Sequence, residues 1–331
     1  MNYPNQAHYE QVLTNFCLFY LNNQFIGDNV IPVFPVNKPS DLFYVFDPVD
    51  FFKITDDSIA PNALPNEAAW KVFKEYYSVK DRGLSDWLPA ETLAAADAPL
   101  KPLTDTVEFL MMLSLLKNEK RAAELAFTAA NYPAGYKMKL SGDRQWGKSG
   151  STAYLDVKRA IKRCFIRANT LVYGSDTWMY FASDRSVVKA IKGDIMGGSV
   201  TEQEVAAYFK VDEVLIGESK FDAVKKGENI YDASYVWGPH FAALHVNKKP
   251  GVKSIGWAVK FRQTAPETTT DFDKKRGKKG SYFIKVTHDG DERIIAPSCG
   301  TFIEDAVEAA PFQMEDWEGG KATVKKGKEE K

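Results

Sequence analysis

The most regular pattern of apolar and polar positions in the chain lies between residues 104 and 131. Apolar side chains recur at the three- and four-residue spacing of a helix face, and the run TVEFLMMLSLLKNEKRAAELAFTAAN has no glycine or proline. Thr104 is suited to cap the first turn, which Asp105 and Glu108 favour through the helix dipole. The predicted apolar face comprises Val107, Leu110, Met111, Leu113 and Leu116. The wetter second half carries Lys117, Glu119, Lys120, Arg121 and Glu124. The pattern predicts a single helix, roughly 40 Å long at about 1.5 Å per residue.

After residue 150 the pattern alternates between amphipathic helices and short apolar strands. Predicted helices are AYLDVKRAIKRCFI, DTWMYFASDRSVVKAI and VTEQEVAAYFK, and predicted strands are NTLVYG, DEVLIGES and part of ASYVWGPHFAALHVN. Thr201 followed by Glu204 is the spacing of a capping box. From 255 to 303, GWAVKFR, GSYFIKVTH and ERIIAPSCGTFI predict long antiparallel strands. The chain is therefore predicted to be α+β, with one inserted α/β unit.

The segment before the long helix is predicted to protrude from the core. Residues 25–52 are proline-rich and aromatic, which favours an extended arm or an edge strand. A polar tip and a returning strand near 72–79 complete a two-stranded loop, and such a hairpin is marginal without a partner. The aromatic side chains predicted to be buried between subunits are Phe43, Tyr44, Phe46, Tyr76, Tyr77 and Trp87.

Charge is distributed unevenly along the chain. The chain's net charge of −1 combines −7 for residues 1–100, +9 for residues 101–300 and −3 for residues 301–331. This pattern suits a molecule whose acidic end lies against the basic middle of a neighbour, although a chance distribution over solvated surface gives the same totals. The sequence shows neither an apolar run long enough to span a membrane nor a signal peptide, so we expect a cytoplasmic product.

The strand-to-helix turn RANTLVYGSDTW is the first candidate for chemistry. It has one glycine and no lysine, unlike a phosphate loop, and it lacks the GxSxG spacing of a hydrolase elbow. We expect Gly174 to relieve a tight turn, Ser175 or Asp176 to cap the helix, and Trp178 and Phe181 to enter the core. No catalytic, cofactor-binding or metal site is predicted here.

The other candidates are equally weak as catalytic sites. GKSGS at 147–151 and GGS at 197–199 are interpreted as flexible connections, and the sequence alone does not reveal a group positioned to act with Asp56 and Asp57 in catalysis. The basic run DKKRGKKGS at 273–281 is either a solvated hairpin tip or a site that meets nucleic-acid phosphates. The three cysteines, Cys17, Cys164 and Cys299, are predicted to be small hydrophobes. Among His8, His240, His245 and His288, only His240 and His245 are close in sequence, and strand geometry would place those two on opposite faces.

Taken together, the order of parts resembles the HK97-fold major capsid proteins of tailed double-stranded DNA bacteriophages. TDTVEFLMMLSLLKNEKRAAELAFTAANY resembles their spine helix, LSGDRQW the segment after it, and RANTLVYGSDTW the strand, turn and helix of their axial domain. VTEQEVAAYFKVDEVLIGES, VWGPHFAALHV and IIAPSCGTFIEDAV resemble later elements in the same order, so the likeness covers roughly residues 25 to 308.

The resemblance implies an HK97-like α+β capsid fold with an N-terminal arm, an extended loop, a long spine helix, a peripheral β-domain and an inserted α/β axial domain. The expected divisions are an arm at 1–35, the extended loop at 36–90, peripheral parts at 91–152 and 251–305, the axial domain at 153–250 and a tail at 306–331.

The implied function is self-assembly, without enzymatic activity or cofactors, into hexamers and pentamers of an icosahedral shell around double-stranded DNA. The protein is expected in the virion capsid after assembly in the host cytoplasm, with a portal, a cement protein and non-specific contact with DNA. Because only about 25 residues precede the extended proline-rich run at 25–52, a separate scaffolding protein is also expected. The alternatives are an encapsulin-type shell that packages protein cargo, and an α/β enzyme with its site at the turns near 174 or 217.

Overall fold

A computed structural model gives the fold, and it describes residues 8–9, 25–46, 54, 56–59, 64, 72–96, 101–193, 198–222, 233–250 and 255–308. The helices are α1 (Gly27–Val30), α2 (Ala90–Ala95), α3 (Pro102–Ala126), α4 (Ala153–Arg163), α5 (Ser175–Ser183), α6 (Arg185–Lys192) and α7 (Glu202–Phe209). The strands before α4 are β1 (His8–Tyr9), β2 (Val33–Pro35), β3 (Ser40–Phe46), β4 (Val72–Ser78), β5 (Lys80–Pro89) and β6 (Lys137–Lys139). The later strands are β7 (Thr170–Gly174), β8 (Glu213–Gly217), β9 (Lys220–Asp222), β10 (Ala233–Tyr235), β11 (Phe241–Leu244), β12 (Ala258–Arg262), β13 (Glu267–Asp273), β14 (Ser281–Ile294) and β15 (Gly300–Glu304).

The long helix α3 confirms the main periodic pattern of the sequence, with shifted ends. It has 25 residues and starts at Pro102, so Thr104 lies inside the first turn and does not cap it. Proline is well tolerated at the first helical position because its missing N–H would have no partner there. At the other end, the Asn131 side chain and the Tyr132 hydroxyl donate to the carbonyls of Leu125 and Ala126, and the helix stops before the predicted residue 131.

The first sheet is organised around the 14-residue strand β14. Its strand order is β1-β13-β14-β12-β2, and β5 also pairs with β14. The antiparallel register of β5 runs from Ser281 opposite Pro89 to Gly290 opposite Lys80. The first half of α3 covers this sheet, because Val107, Leu110 and Met111 form a core with Ile284 and Val286.

The second sheet has the strand order β6-β15-β11-β7-β8. Helices α4 to α7 bury one face of it, and Trp146, Tyr173, Phe181 and Phe241 lie in that core with less than 2% exposure. The other face contacts the end of α3 through a second aromatic core, in which Tyr132 stacks on both Trp257 and Phe302. The long helix therefore joins both sheets.

Three local features refine the predicted elements. The capping box at Thr201 and Glu204 is confirmed, with both reciprocal hydrogen bonds present. The predicted helix after residue 175 is instead two helices, because Asp184 leaves the helical conformation and caps α6 through the Ser186 N–H. The run at 273–281 is the tip of the β13–β14 hairpin, which closes with Asp273 opposite Ser281.

The inward face of α3 is narrower than the sequence predicts. Leu110 is 3% exposed, whereas Leu113, predicted on the same face, is 39% exposed. Leu110→Ala is expected to lower the free energy of unfolding by about 3 kcal/mol through the cavity it leaves, and Leu113→Ala by less than about 1 kcal/mol. Urea unfolding of the unassembled protein measures both, and equal losses would contradict this orientation of the helix.

Candidate subunit interface

The inner face of the β3–β4 hairpin packs on its own chain. Tyr77 stacks on Phe261 of β12 with ring centroids 4.5 Å apart, and Phe43 lies 5.1 Å from the same ring. Both side chains are buried, at 6% and 9% exposure. The prediction that Phe43 and Tyr77 need a neighbouring subunit is therefore wrong, because Phe261, far away in sequence, supplies the missing apolar surface.

The outer face of the same hairpin is uncovered. Leu42 and Tyr76 lie directly opposite each other in the register, so their side chains share that face, and they are 61% and 68% exposed. The exposure of Tyr76 agrees with its predicted place in a subunit contact. The side chains of Tyr44 and Phe46 lie outside the described residues. A cross-strand apolar pair open to solvent suits contact with another molecule.

Trp87 is half-buried within its own chain. Its ring lies 4.7 Å from that of Phe283 on the paired strand β14, and the Arg276 guanidinium stacks over it at 4.0 Å. The sequence missed this contact because β5, which carries Trp87, pairs with a strand about 200 residues away. Trp87 was predicted to be buried by a neighbouring subunit, but residues of its own chain already cover part of its ring.

The outer face of α3 carries a second apolar stripe. Phe109, Met112 and Leu113 are 57%, 45% and 39% exposed, and Leu116 continues the same helical spacing. At about 100° per residue this stripe lies roughly opposite the stripe at 107, 110, 111 and 114 that packs on β14. The helix therefore has two apolar sides, of which the sheet covers one and the other is exposed to solvent. We name this exposed stripe the outer face of α3.

Glu119 of α3 connects the helix to two distant parts of the chain, the start of α1 and the loop before β11. Its carboxylate accepts hydrogen bonds from the Ile26 N–H (3.0 Å), the Gly27 N–H (2.7 Å) and the Trp237 indole N–H (2.6 Å). The residue is 1% exposed, and burial raises the pKa of its carboxyl although the three donors oppose the shift. The prediction that Glu119 lies on a wetter half of the helix is therefore wrong. It binds the amide groups at the start of α1 and fixes Trp237 of the loop before β11.

A polar network continues from Glu119 along the first sheet. Lys260 is 2% exposed, and its Nζ lies 2.6 Å from Asn118 Oδ1 and 3.2 Å from Asp28 Oδ1. Burial lowers the pKa of Lys260, against the opposing attraction of Asp28. Arg121 donates to both Asn118 and Glu292. These buried ion pairs favour one orientation of α3 on the sheet, because in another orientation a buried charge would lose its partner.

His288 faces the same network and makes stability depend on pH. Its Nδ1 lies 3.0 Å from Ser114 Oγ, and burial, together with the nearby Lys260 and Arg121 and other cations, lowers its pKa to about 4. The unfolded chain takes up this proton near pH 6.5, so the stabilising contribution is present above pH 6.5 and is lost as the pH falls towards about 4.

The difference in unfolding free energy between the natural protein and His288→Asn should therefore shrink by on the order of 2 kcal/mol between pH 7 and pH 4, after discounting for partial exposure. Asparagine retains a polar atom near Nδ1 but does not titrate. Denaturant unfolding of both proteins across this range checks it, and a constant difference would contradict the assignment.

Two curated proteins are similar to the chain over most of its length. The major capsid protein of Pseudomonas phage JBD67 is 26% identical over 301 residues, which cover 90% of this chain and 96% of that protein. The major capsid protein of Burkholderia phage BcepMu is 24% identical over 246 residues, covering 73% of this chain and 78% of that protein. No protein-family model matches the chain.

Solved structures share the same fold. A phage-related protein from Bordetella bronchiseptica RB50 superposes with a TM-score of 0.71 at 20% identity, covering 91% of this chain and 98% of that one. The capsid of cyanophage P-SCSP1u gives a TM-score of 0.57 at 10% identity, with 86% and 89% coverage. The chain has the HK97-like capsid fold, and it is similar in sequence to the major capsid proteins of two phages.

Encapsulins share this capsid fold. The SrpI encapsulin of Synechococcus elongatus PCC 7942 gives a TM-score of 0.51 at 9% identity, with 95% and 96% coverage. At that identity the likeness concerns the fold alone. The two curated relatives are phage capsid proteins, and they favour the phage capsid over the encapsulin alternative.

The turn at Gly174 has a structural role in this capsid fold. Gly174 donates its N–H to the His240 carbonyl, and a Cβ added there would lie 1.9 Å from the Gly238 oxygen. Glycine is required because two backbones approach closely. α5 begins at Ser175 with Gly174 in the N-cap position and no side-chain cap, so the prediction that Ser175 or Asp176 caps it is wrong. Phe181 is fully buried and Trp178 half-buried.

The remaining candidates lie apart from one another. Cys164 and Cys299 are buried, and burial raises their thiol pKa values to about 12 and about 11. His240 and His245 flank β11, with ring Nδ1 atoms near the Asp305 N–H and the Arg167 carbonyl. Asp56 and Asp57 are exposed, while Cys17, the His8 side chain and Gly197 of GGS lie outside the described residues.

The described residues show neither a candidate metal site nor a helix that could span a membrane. No group of three His, Cys, Asp or Glu side chains within those ranges could hold a metal ion. None of the helices in the same ranges combines the length and apolar content needed to cross a membrane.

Proposed function

We propose that the chain is a major capsid protein that assembles into hexamers and pentamers of an icosahedral shell around double-stranded DNA, located in the virion capsid. One structural observation carries the proposal: the hairpin and α3 each pack one apolar face inside the chain and expose a second. Leu42, Tyr76 and Phe109 are each more than half exposed. Apolar surface of this kind marks contact with other molecules, and identical neighbours in a shell supply it repeatedly. The curated relatives, both major capsid proteins, support the same function.

The role is structural, and its partners are mainly further copies of the chain. The exposed basic tip of the β13–β14 hairpin, at 274–279, is proposed to contact packaged DNA without sequence preference, through phosphates. Assembly in the host cytoplasm and separate scaffolding, portal and cement proteins are proposed from the family resemblance alone.

Sedimentation and negative-stain electron microscopy of the purified chain test the proposal. We expect capsomers, tubes, sheets or shells that form in a concentration-dependent way. A compact monomer at every concentration, including in the presence of co-expressed phage assembly proteins, would contradict it.

The encapsulin alternative predicts a different particle content. Particles produced together with the other phage proteins should contain DNA. Absorption by nucleic acid should then dominate their ultraviolet spectrum over absorption by protein. Particles filled with a protein cargo would favour the encapsulin-type shell instead.

A further inference from the structure

A cavity of about 580 Å³ opens between α4 and the edge of the second sheet. Its apolar wall includes Met138 of the edge strand β6, Ala160 of α4, and Phe302 and Ile303 of β15. The last three residues are at most 7% exposed, so the wall is a fixed part of the core. The volume is in the range of pockets that bind small molecules or a few side chains.

The rim of this cavity is strongly basic. Lys137, Arg159, Lys162 and Arg163 surround it, and all four are exposed. Arg163 is held at the mouth by its bond to the Gly135 carbonyl and by its position over the Tyr136 ring. Across the described ranges, the one carboxylate that forms an ion pair with this rim is Asp156, which lies 3.6 Å from Arg159. An apolar wall whose rim has four cations and one paired carboxylate suits an occupant that is both apolar and acidic.

Asp156 gives the cavity a polar recognition group. The residue is 0% exposed and lines the cavity. Its Oδ2 accepts from Thr152 and the Trp146 indole, while its buried Oδ1 is paired with the Arg159 guanidinium at 3.6 Å and accepts no hydrogen bond from the described residues. The ion pair with Arg159 is too long to be a hydrogen bond, so an occupant that donates an N–H to this oxygen would fit here.

We propose that this cavity binds residues 311–318 of the same chain, with the sequence PFQMEDWE. This segment combines Phe312, Met314 and Trp317 with three carboxylates and contains no lysine or arginine. Its apolar side chains match the wall, its carboxylates match the rim, and the Trp317 indole supplies an N–H for Asp156 Oδ1.

The position of the segment in the chain supports an occupant from the same copy. β15 lines the cavity and ends at Glu304, and the last described residue is Glu308, whose side chain bonds Lys148. The ten residues to Glu318 span up to roughly 33 Å when extended. A short tether raises the effective concentration of the segment at the cavity.

A labelled peptide of residues 309–320 tests the binding directly. Full-length protein is titrated into the labelled peptide, and binding is followed by fluorescence anisotropy. The protein carries Phe312→Ala and Trp317→Ala, so that its own segment no longer fills the cavity. We expect saturable binding, and a peptide with Trp317→Ala should bind roughly tenfold more weakly. In the protein, Lys162→Glu should weaken binding on the order of threefold, while the matched control Arg185→Glu, at an exposed position of α6, should leave it unchanged. Absent binding, or binding indifferent to both Trp317→Ala and Lys162→Glu, would overturn the proposal.

Carbodiimide cross-linking of the natural chain, read by mass spectrometry, provides a second measurement without substitutions. Lys137 or Lys162 should cross-link to Glu315, Asp316 or Glu318 within one copy, as mixing isotope-labelled and unlabelled protein reveals. Cross-links found only between copies, or none at all, would overturn the same-copy assignment. Both measurements use dilute, unassembled protein, so their outcome is separate from that of the shell-forming function.

Discussion

Replacing Glu119 by alanine is expected to lower the free energy of unfolding by about 4 kcal/mol, the largest stability loss among the substitutions considered. The change leaves the Ile26 and Gly27 amides and the Trp237 indole without their acceptor. Each buried donor left unpaired costs about 1–3 kcal/mol, less whatever water and relaxation recover. Urea unfolding of the unassembled protein, followed by tryptophan fluorescence, measures the loss.

Two further variants distinguish a lost hydrogen-bond network from a general helix effect. Glu124→Ala, at an exposed position of the same helix, should change stability by less than about 0.5 kcal/mol. Glu119→Gln should fall between the two, because its amide oxygen keeps some donors while its NH₂ group meets another donor. Similar stabilities for Glu119→Ala and Glu124→Ala would show that the observed contacts contribute little.

The second large effect concerns assembly. Leu42→Asp combined with Tyr76→Asp is expected to abolish formation of capsomers and shells while leaving a folded monomer. Both side chains are mostly exposed within the subunit, so their replacement costs the subunit little. Two charges placed in an apolar contact between subunits would each have to be desolvated on assembly, which is unfavourable by several kcal/mol.

A control variant carries the same added charge at exposed positions away from the hairpin. Ser85→Asp with Ala94→Asp adds two carboxylates at exposed positions of β5 and α2. Sedimentation velocity should show large assemblies for the natural protein and this control, and folded monomers for Leu42→Asp/Tyr76→Asp. The melting temperature of that variant should fall by only a few degrees, because its two carboxylates lie opposite each other on an exposed face. Normal shells from the hairpin variant would contradict a role for that face in assembly.

The parts of the fold that were predictable from sequence depend on local signals. The periodicity of apolar residues predicts the long helix, and the spacing of Thr201 and Glu204 predicts the capping box. A glycine between an apolar strand and an aromatic helix predicts the turn at Gly174. The order of these elements carried the resemblance to capsid proteins, and the relatives and the fold confirm it.

The missed features depend on contacts between distant residues. Glu119 looks like a solvated helix residue until Gly27 and Trp237 are brought beside it. The inner face of the hairpin looked unpartnered because Phe261 lies about 180 residues after Tyr77. Strand β13, with the sequence ETTTDFD, escaped prediction because its threonines and acids show no apolar alternation, and its pairing with β14 defines it.

A cryo-electron microscopy reconstruction of particles assembled from this chain shows directly whether the two exposed apolar faces are buried between subunits. We expect a closed shell of hexamers and pentamers in which neighbouring copies cover two surfaces of each subunit. These are the outer face of the hairpin, at Leu42 and Tyr76, and the outer face of α3, at Phe109 and Met112. A particle in which these two faces remain open to solvent, or a protein that forms no particle under any assembly condition, would contradict it.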